Sequence, residues 1–330
     1  MYERVGEPLL SMIMEGYNCC VFAYGQTGAG KTKTMMGDIQ AGNPMEFGMV
    51  PRICFGIFDM LAAKQSQNAQ AASGGVEMET VDYSHIEIYN EAVRDLLAAP
   101  NAGYLKVREH PRKGVFVANL TTVRVTSFED VMSLIDIGEK NRTVAATNAN
   151  LHSSRSHAIV TLTLCQRVKQ ASRHGLPTSG LQEKVARLHM VDLAGSERAA
   201  TSGARGTRLR EANNINKSLS TLGDVIKSLG EPKSRRGHIP YRNSTLTTIL
   251  RDSLGGNSHV LFIAAVSPST SDYDETISTL KFAERAKRVK LRVEANVTEG
   301  IQSGSFTADM VPLLQAEVTK LRQMLKVQQE

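Results

Sequence analysis

Residues 22–36 have the sequence Phe22-Ala-Tyr-Gly-Gln-Thr-Gly-Ala-Gly-Lys-Thr-Lys-Thr-Met-Met36. The pattern G-x-x-x-x-G-K-T lies within it, directly after an apolar run that predicts a short buried strand. The residues from Lys31 onward predict the start of a helix, which adds unpaired N–H groups and the positive end of its dipole. Glycines in the loop allow backbone angles that are closed to other residues, so successive N–H groups can turn inward on a phosphate. The stretch therefore predicts a nucleotide-binding loop.

Two side chains of this loop have separate predicted tasks. Lys31 would reach the outer phosphates of a nucleotide, and the Thr32 hydroxyl would bind Mg²⁺. The alternative is a glycine-rich turn that matches the pattern by chance, and the strand before and helix after the loop argue against it. The predicted nucleotide-binding residues are Gly25, Gln26, Thr27, Gly28, Ala29, Gly30, Lys31 and Thr32.

The composition sets limits on the class of protein. A chain of 330 residues with 41% hydrophobic content can bury one large core, as one domain or two. No uninterrupted apolar stretch is long enough to cross a bilayer, and no signal-peptide pattern follows Met1. The four cysteines contain no C-x-x-C pair, which indicates neither a zinc site nor a disulfide framework and fits a reducing cytosol.

The net charge of +6 is unevenly distributed along the chain. Residues 1–165 carry 14 Lys and Arg against 17 Asp and Glu, whereas the remainder carries 25 against 16. A basic half indicates an extended acidic partner, such as nucleic acid, an anionic membrane or an acidic protein surface, and solvated surface charge is the alternative. No nucleic-acid reading motif accompanies the basic half, which makes nucleic acid a distant alternative.

Periodicity predicts an alternation of helices and strands. Helices are predicted over residues 2–18, 50–63, 127–147, 241–254 and 274–290, in the second half of 198–230, and as a helical turn at 91–97. Strands are predicted over residues 19–24, 81–89, 158–165, 185–191 and 260–266, with a hairpin-like segment at 100–125. Residues 65–75 are predicted to be a surface loop. Three of the strands end in a polar cluster, which predicts a sheet whose strand ends gather around one ligand.

Asp192 follows the strand predicted over residues 185–191. A phosphate-loop NTPase keeps its second Mg²⁺ carboxylate at such a strand end. A lone D-x-x-G is more often a turn, but together with the upstream loop it indicates a second part of one site.

Four motifs occur together and in order: G-Q-T-G-A-G-K-T at 25–32, N-x-x-S-S-R-S-H at 150–157, D-L-A-G-S-E at 192–197 and I-N-K-S-L at 215–219. The set resembles the kinesin motor domain from Tyr2 to about Lys290. Within that family, V-R-E-H-P at 107–111, T-V-A-A-T-N at 143–148 and Y-D-E-T at 273–276 are most similar to the kinesin-3 group. The resemblance implies an α/β fold of the P-loop NTPase class, with a kinesin-motor-like central mixed sheet flanked by helices and its N-terminal strand or strands missing. It also implies a motor domain over residues 1–290, a neck-linker-like segment over 291–304 and a short amphipathic neck helix over 305–330.

The resemblance implies a microtubule-dependent motor ATPase that binds ATP and Mg²⁺. Ser153 and Ser154 match the switch I serines, and the Gly195 N–H would sense the γ-phosphate. Arg155 and Glu197 match a salt bridge between the switches that closes the site and orders the attacking water. The implied catalytic residues are Ser153, Ser154, Arg155, Gly195 and Glu197, and the implied metal residues are Thr32, Ser154 and, through water, Asp192. The helix with Asn216 and Lys217 would pass the change to the track-binding face, and the segment from about Leu291 would dock or release.

The basic half of the chain then has the acidic surface of the microtubule as its implied partner, which places the protein in the cytoplasm on the cytoskeleton. The candidate contacts are Arg198, Lys217, Lys233, Arg235, Arg236 and Arg242. The apolar seam from Val311 to Leu325 spans barely two heptads, so it is either a helix packed on the domain or the start of a homodimer. Neither a nucleic acid nor a membrane span is expected, and no cargo is assigned.

Three departures from the family pattern qualify these expectations. The family begins with a central strand that precedes the helix at Tyr2, and without it residues 260–266 would become an exposed hydrophobic edge. Lys33 stands where the family usually places an aromatic residue or histidine that stacks on the base. Asn243, Thr245 and Thr248 replace the Asp, Lys and Arg that the family favours, which would lower track affinity. A non-motile microtubule-binding module that hydrolyses ATP poorly, and a fragment that does not fold alone, are the alternatives.

Overall fold

The computed structural model describes residues 1–70, 76–99, 101–111, 114–146, 154–169, 181–197, 207–232, 234 and 237–300. The helices of the described residues are α1 (Tyr2–Met14), α2 (Lys31–Met35), α3 (Met49–Gln70), α4 (Phe128–Ala146), α5 (Thr207–Gly230), α6 (Thr245–Ile249), α7 (Arg251–Gly255) and α8 (Tyr273–Lys287). The strands are β1 (Cys19–Tyr24), β2 (Val76–Tyr89), β3 (Ala92–Asp95), β4 (Tyr104–Leu105), β5 (Val107–His110), β6 (Gly114–Val117), β7 (Val123–Val125), β8 (His157–Lys169), β9 (Leu181–Asp192), β10 (His259–Ala264) and β11 (Val297–Gly300).

The main sheet is mixed, with the strand order β10-β1-β9-β8-β2-β3-β4. Strand β1, next to β10, runs parallel to both β10 and β9, whereas β8 pairs antiparallel with β9 and with β2. The parallel register places Ala23 beside Asp192, so the loops that follow β1 and β9 leave the same edge of the sheet. The predicted α/β fold with a central mixed sheet flanked by helices is confirmed.

The hydrophobic core lies on both faces of this sheet. Cys19, Val21 and Ala23 belong to the cluster that packs under α1, α3 and α4. The alternate β1 residues, Cys20 among them, face the cluster that packs under α5 to α8. The two adjacent cysteines therefore point to opposite faces, as the strand period predicts. Within the described part of the chain, no helix combines the length and the apolar character needed to cross a membrane.

Strand β10 lies at the edge of the sheet and pairs only with β1 among the described strands. Val260 on this strand is 40% exposed, and Val266 just beyond it is 41% exposed. The expected hydrophobic edge is therefore present, and it leaves backbone groups free to pair with another strand.

A capping box closes the N-terminus of α4, the helix predicted over 127–147. Asp130 N donates to the Ser127 hydroxyl at 3.1 Å, and Ser127 N donates to the Asp130 carboxylate at 3.1 Å. Two backbone N–H groups at the helix start thereby have partners. Val131 and Ile135 of this helix are fully buried.

The helical turn predicted at residues 91–97 is wrong, because β3 occupies Ala92–Asp95. Asn90 and Glu91 both have positive φ, at 52° and 63°, between the opposed pairs Tyr89–Ala92 and Ile88–Val93. Two central residues of this conformation form the tight turn that matches the twist of a hairpin. An Asn-Glu pair lacks the glycine that usually marks such a turn, so the sequence signal was weak.

Two predicted helix boundaries require correction, and the predicted neck-linker-like segment contains a strand. The single helix predicted over 241–254 is divided into a 3-10 turn, α6 and α7, because Ser244 is extended and caps α6 by accepting from Thr247 N. Helix α3 continues to Gln70, into the predicted surface loop. The aperiodic segment 291–304 contains β11, which pairs with β9. The helix predicted over 305–330 lies outside the described residues.

Candidate active site

The predicted phosphate loop lies between the end of β1 and the start of α2, as expected. Gly25 must be glycine, because a Cβ atom there would collide with the carbonyl oxygen of Ala265. Gly30 caps α2 in the left-handed region at φ 91°, which an L side chain rarely adopts. Since α2 has only five residues, its dipole is short, and the backbone N–H groups of the loop supply most of the anion-binding capacity.

The Lys31 side chain is 7% exposed and folds back into the loop. Its Nζ donates to the carbonyl oxygens of Gly25 at 2.9 Å and Gln26 at 2.8 Å. Burial lowers the pKa of Lys31, and the carboxylates of Asp192 and Glu197 oppose this shift. The ammonium group is therefore held where it could exchange carbonyl oxygens for phosphate oxygens.

Thr32 and Asp192 join the phosphate loop to the end of β9. The Thr32 hydroxyl donates to Asp192 Oδ2 at 2.6 Å, and the buried Oδ1 has no hydrogen-bond partner among the described residues. These hard oxygen donors fit Mg²⁺, which takes few protein ligands alongside water and substrate phosphates. In the described ranges, no group of three or more His, Cys, Asp or Glu is arranged to hold a metal ion.

The loop that follows Asp192 lies against the phosphate loop. Gly195 N donates to the Ser154 carbonyl oxygen at 2.8 Å, and Ser196 N donates to that of Gly25 at 3.1 Å. The Glu197 carboxylate accepts from both the backbone N–H and the hydroxyl of Thr27. The Gly195 N–H, the predicted γ-phosphate sensor, thus donates to a carbonyl oxygen that a phosphate oxygen could replace.

Of the other predicted switch residues, the structure describes two and does not describe the third. Ser154 and Arg155 are described and half-buried at the start of the segment that leads into β8. The predicted pairing of Arg155 with Glu197 stays a prediction. Ser153 lies outside the described residues.

A buried ion cluster behind Asp192 was not predicted from the sequence. Arg142 of α4 is 3% exposed and lies 3.8 Å from Asp192 Oδ2 and 3.7 Å from Glu87 Oε1. Its Nη1 also lies 3.9 Å from Glu139, a carboxyl whose pKa is raised by burial. The available signal was Glu87, a carboxylate between the apolar residues Ile86 and Ile88 of β2, which needs a partner when it is buried.

Two of the predicted track contacts are exposed on neighbouring elements. Lys217 projects from α5, and Arg242 lies on the 3-10 turn that packs against α5. Arg242 Nη2 is 2.9 Å from Glu109 of the β5–β6 hairpin, so part of its charge is balanced within the chain. Arg198, Lys233, Arg235 and Arg236 lie outside the described residues.

Three of the residues that depart from the family pattern, Lys33, Thr245 and Thr248, have partners within the chain. Lys33 is exposed and lies 3.0 Å from Glu46. Thr245 N donates to the Glu91 carboxylate at 2.8 Å, and the Thr248 hydroxyl donates to the Ser244 carbonyl at 2.8 Å. The threonines therefore support the local fold and present no charge.

Comparison with known proteins agrees with this geometry. The family model "Kinesin motor domain" matches residues 1–289. The chain is 45% identical over 331 residues to the kinesin-like protein unc-104 of Caenorhabditis elegans, covering 99% of this chain and 20% of the relative. It is also 45% identical over 331 residues to the kinesin-like protein KIF1C of Homo sapiens, covering 99% of this chain and 28% of that protein. The chain thus spans 20% to 28% of the length of these two curated relatives, which are kinesin-3 proteins.

Solved structures give the same result. One described as "Structure of a fast kinesin: Implications for ATPase mechanism and interactions with microtubules" has a TM-score of 0.77 and 41% identity, covering 93% of this chain and 80% of the other. Another, of a KIF14 dimer with AMP-PNP in complex with a microtubule, has a TM-score of 0.76 and 41% identity, covering 89% and 78%. The chain belongs to the kinesin motor domain family.

Proposed function

We propose that this chain is a microtubule-dependent motor ATPase. The observation that carries the proposal is the hydrogen bond between Thr32 and Asp192, which joins a phosphate loop to the first residue of the D-L-A-G-S-E motif. The relatives are named as kinesin-like proteins, and one solved neighbour is described in complex with a microtubule. No observation favours the alternative of a non-motile binding module.

ATP would bind with its phosphates on residues 25–32. The backbone N–H groups of the loop would hold the phosphate oxygens, and Lys31 would leave the carbonyls of Gly25 and Gln26 to pair with them. Mg²⁺, when bound, neutralises charge on the outer phosphates. Thr32 and Ser154 would hold this ion directly, and Asp192 would hold it through water.

The loop after β9 would report the presence of the γ-phosphate. The Gly195 N–H now donates to Ser154 O, and it would exchange this acceptor for a γ-phosphate oxygen when ATP binds. Pairing of Glu197 with Arg155 would join the segment before β8 to the loop after β9. Changes of this kind shift one switch segment relative to the other, in the manner of other nucleotide switches.

Track binding would use the basic half of the chain. Lys217 and Arg242 are the exposed members of the candidate set, and Arg198, Lys233, Arg235 and Arg236 complete it. Association with an acidic filament through such residues should weaken steeply with salt. The protein would act in the cytoplasm on the microtubule cytoskeleton.

The segment 291–300 would be the mechanical output. Glu294 N donates to Asn257 Oδ1 at 2.7 Å, and Asn296 Nδ2 donates to the carbonyls of Gly16 and Val185 at 3.1 Å. Strand β11 then pairs with residues 181–184 of β9. These contacts support a docked neck linker, and residues 305–330 would follow as a neck helix that allows homodimerisation.

The deciding experiment measures ATP turnover by the purified 330-residue chain with and without microtubules. Strong stimulation by microtubules, reduced about 100-fold in Lys31→Ala, is the expected result, since Lys31 would hold transferring phosphate. Lys140→Ala is the matched control, because Lys140 is exposed and pairs with Asp136 within α4. Soluble protein that pellets with microtubules without stimulated turnover would replace the motor by a binding module. Insoluble protein would indicate a fragment that does not fold alone.

A further inference from the structure

The His157 side chain connects three elements that meet behind the active site. Its Nδ1 accepts from the backbone N–H of Ala194 at 2.9 Å, and its Nε2 lies 2.7 Å from the Ser218 hydroxyl on α5. His157 and Ser218 are each 2% exposed, and Ala194 is fully buried. One ring at the start of β8 therefore joins the loop after β9 to helix α5.

The hydrogen-bond partners of His157 determine which ring nitrogen carries the proton. A backbone N–H can only donate, so Nδ1 carries no proton and Nε2–H donates to Ser218. Burial, together with the positive charges of Arg142 and Lys31, lowers the pKa of His157 to about 3. The neutral ring keeps both bonds across the pH range in which a motor works.

The two partners of His157 belong to segments with different tasks in the proposed function. Ala194 lies between Asp192 and Gly195, whose N–H donates to the Ser154 carbonyl oxygen. Ser218 follows the exposed Lys217 on α5. A shift of the loop that alters the Ala194 N–H must therefore move the ring or break a bond to the helix that presents Lys217.

We propose that His157 is a positioning residue that transfers displacement of the loop after Asp192 to α5 through Ser218. This inference rests on the proposed function. It assigns the coupling between the nucleotide site and α5 to the His157 side chain.

A second buried histidine, His189, forms a hydrogen bond between two strands that are already paired. His189 Nδ1 lies 2.9 Å from the Thr161 hydroxyl, and burial, with the charge of Arg187, lowers the pKa of His189 to about 3. This bond joins β8 to β9, which are already paired from Ala158 to Lys169, so it links no separate segments. The Thr161–His189 pair therefore supplies a matched control for the His157–Ser218 pair.

The test compares Ser218→Ala with Thr161→Val in the full chain. The measured quantity is the ratio of microtubule dissociation constants with ADP and with AMP-PNP, alongside the melting temperature. Ser218→Ala should reduce this ratio by about two- to tenfold, the equivalent of one buried hydrogen bond, whereas Thr161→Val should leave it unchanged. An unchanged ratio in Ser218→Ala, or an equal loss in both variants, overturns the proposal.

Variants of the ring separate its two bonds. His157→Asn keeps an acceptor near Nδ1 for Ala194 N, and His157→Gln places an amide near Nε2 for Ser218. Each variant should reduce the ratio of dissociation constants, because each preserves only one of the two hydrogen bonds of His157. A normal ratio in His157→Asn would show that the link to α5 is unnecessary.

A measurement without microtubules distinguishes failure of this inference from failure of the proposed function. Amide hydrogen exchange of residues 216–230 should differ between ADP and AMP-PNP in the wild-type chain, and Ser218→Ala should diminish the difference. If this difference is absent in the wild type, or is as large in Ser218→Ala as in the wild type, the proposed role of His157 is wrong even where microtubules stimulate turnover. If exchange behaves as expected but microtubules do not bind, only the proposed function fails.

Discussion

The Thr32 hydroxyl donates a 2.6 Å hydrogen bond to Asp192 Oδ2, which brings together two residues that are 160 positions apart in the sequence. The bond spans the phosphate loop and the end of β9, and Arg142 lies behind the same carboxylate at 3.8 Å. The carboxylate therefore has one polar partner toward the nucleotide side and one toward the protein interior.

Asp192→Asn should lower the affinity for Mg²⁺, because it removes the negative charge while keeping an oxygen for Thr32. An outer-shell carboxylate of this kind contributes about 10- to 100-fold to metal affinity, so half-maximal turnover should require that much more Mg²⁺. A magnesium titration of turnover checks this. Asp82→Asn, in an exposed pair with Arg124, is the control, and an unshifted titration in Asp192→Asn would remove Asp192 from the metal site.

Gly195→Ala should block the active arrangement of the switch loop. A Cβ atom there would collide with the Glu197 carboxylate and the Thr27 hydroxyl, so their hydrogen bond would be lost. ATP turnover should fall at least about tenfold while ADP affinity stays within about threefold, because the loop N–H groups that hold the phosphates are unchanged. Gly237→Ala has open space around its Cβ and should match the wild type. Full turnover in Gly195→Ala would contradict the sensor role.

Arg142→Met should destabilise the fold by about 3–5 kcal/mol, because buried Glu87 and Asp192 would keep their charge and lose the guanidinium beside them. Urea unfolding measures the change. Arg124→Met removes an exposed ion pair with Asp82 and should cost no more than about 1 kcal/mol. Equal costs in the two variants would mean that the cluster is solvated.

Val260→Lys should reduce aggregation of the chain without altering its stability. A charge on the exposed edge strand β10 opposes pairing with another strand, and surface substitutions change the free energy of unfolding by about 0.5 kcal/mol or less. Light scattering during incubation, with urea unfolding, checks both points. Val266→Lys, beyond the end of β10, should have a smaller effect. Aggregation that is insensitive to Val260→Lys would locate its cause elsewhere.

The free energy of unfolding should fall as the pH falls below 6.5. Burial lowers the pKa of His85, His157 and His189 to about 3, whereas the unfolded chain binds a proton at each near 6.5. Between these values the unfolded state holds more protons, so each histidine costs roughly 1.4 kcal/mol per pH unit and the three cost roughly 4. Urea unfolding at pH 7, 6 and 5 tests this. His189→Gln should reduce the slope by about a third, and an unchanged slope would contradict the assignment.

Features with local causes were predictable from the sequence. The phosphate loop requires glycines and a following helix start, the α4 cap requires Ser127 and Asp130 at fixed spacing, and alternation places Cys19 and Cys20 on opposite faces. The edge position of β10 was predicted from the resemblance, since it depends on which strands surround it. The short β2–β3 hairpin was missed, because the positive φ of Asn90 and Glu91 is stabilised by strand pairing and not by a glycine.

By itself, the sequence determined the phosphate loop, the family and the alternation of helices and strands, because these depend on residue types within a few positions of one another. Only the tertiary structure decided that Arg142 meets Asp192 and Glu87, and that His157 connects Ala194 to Ser218. These contacts join residues from separate elements, and no local period or spacing encodes them. Their physical cause is burial, since a polar group removed from water must find its partner wherever the fold brings one within reach.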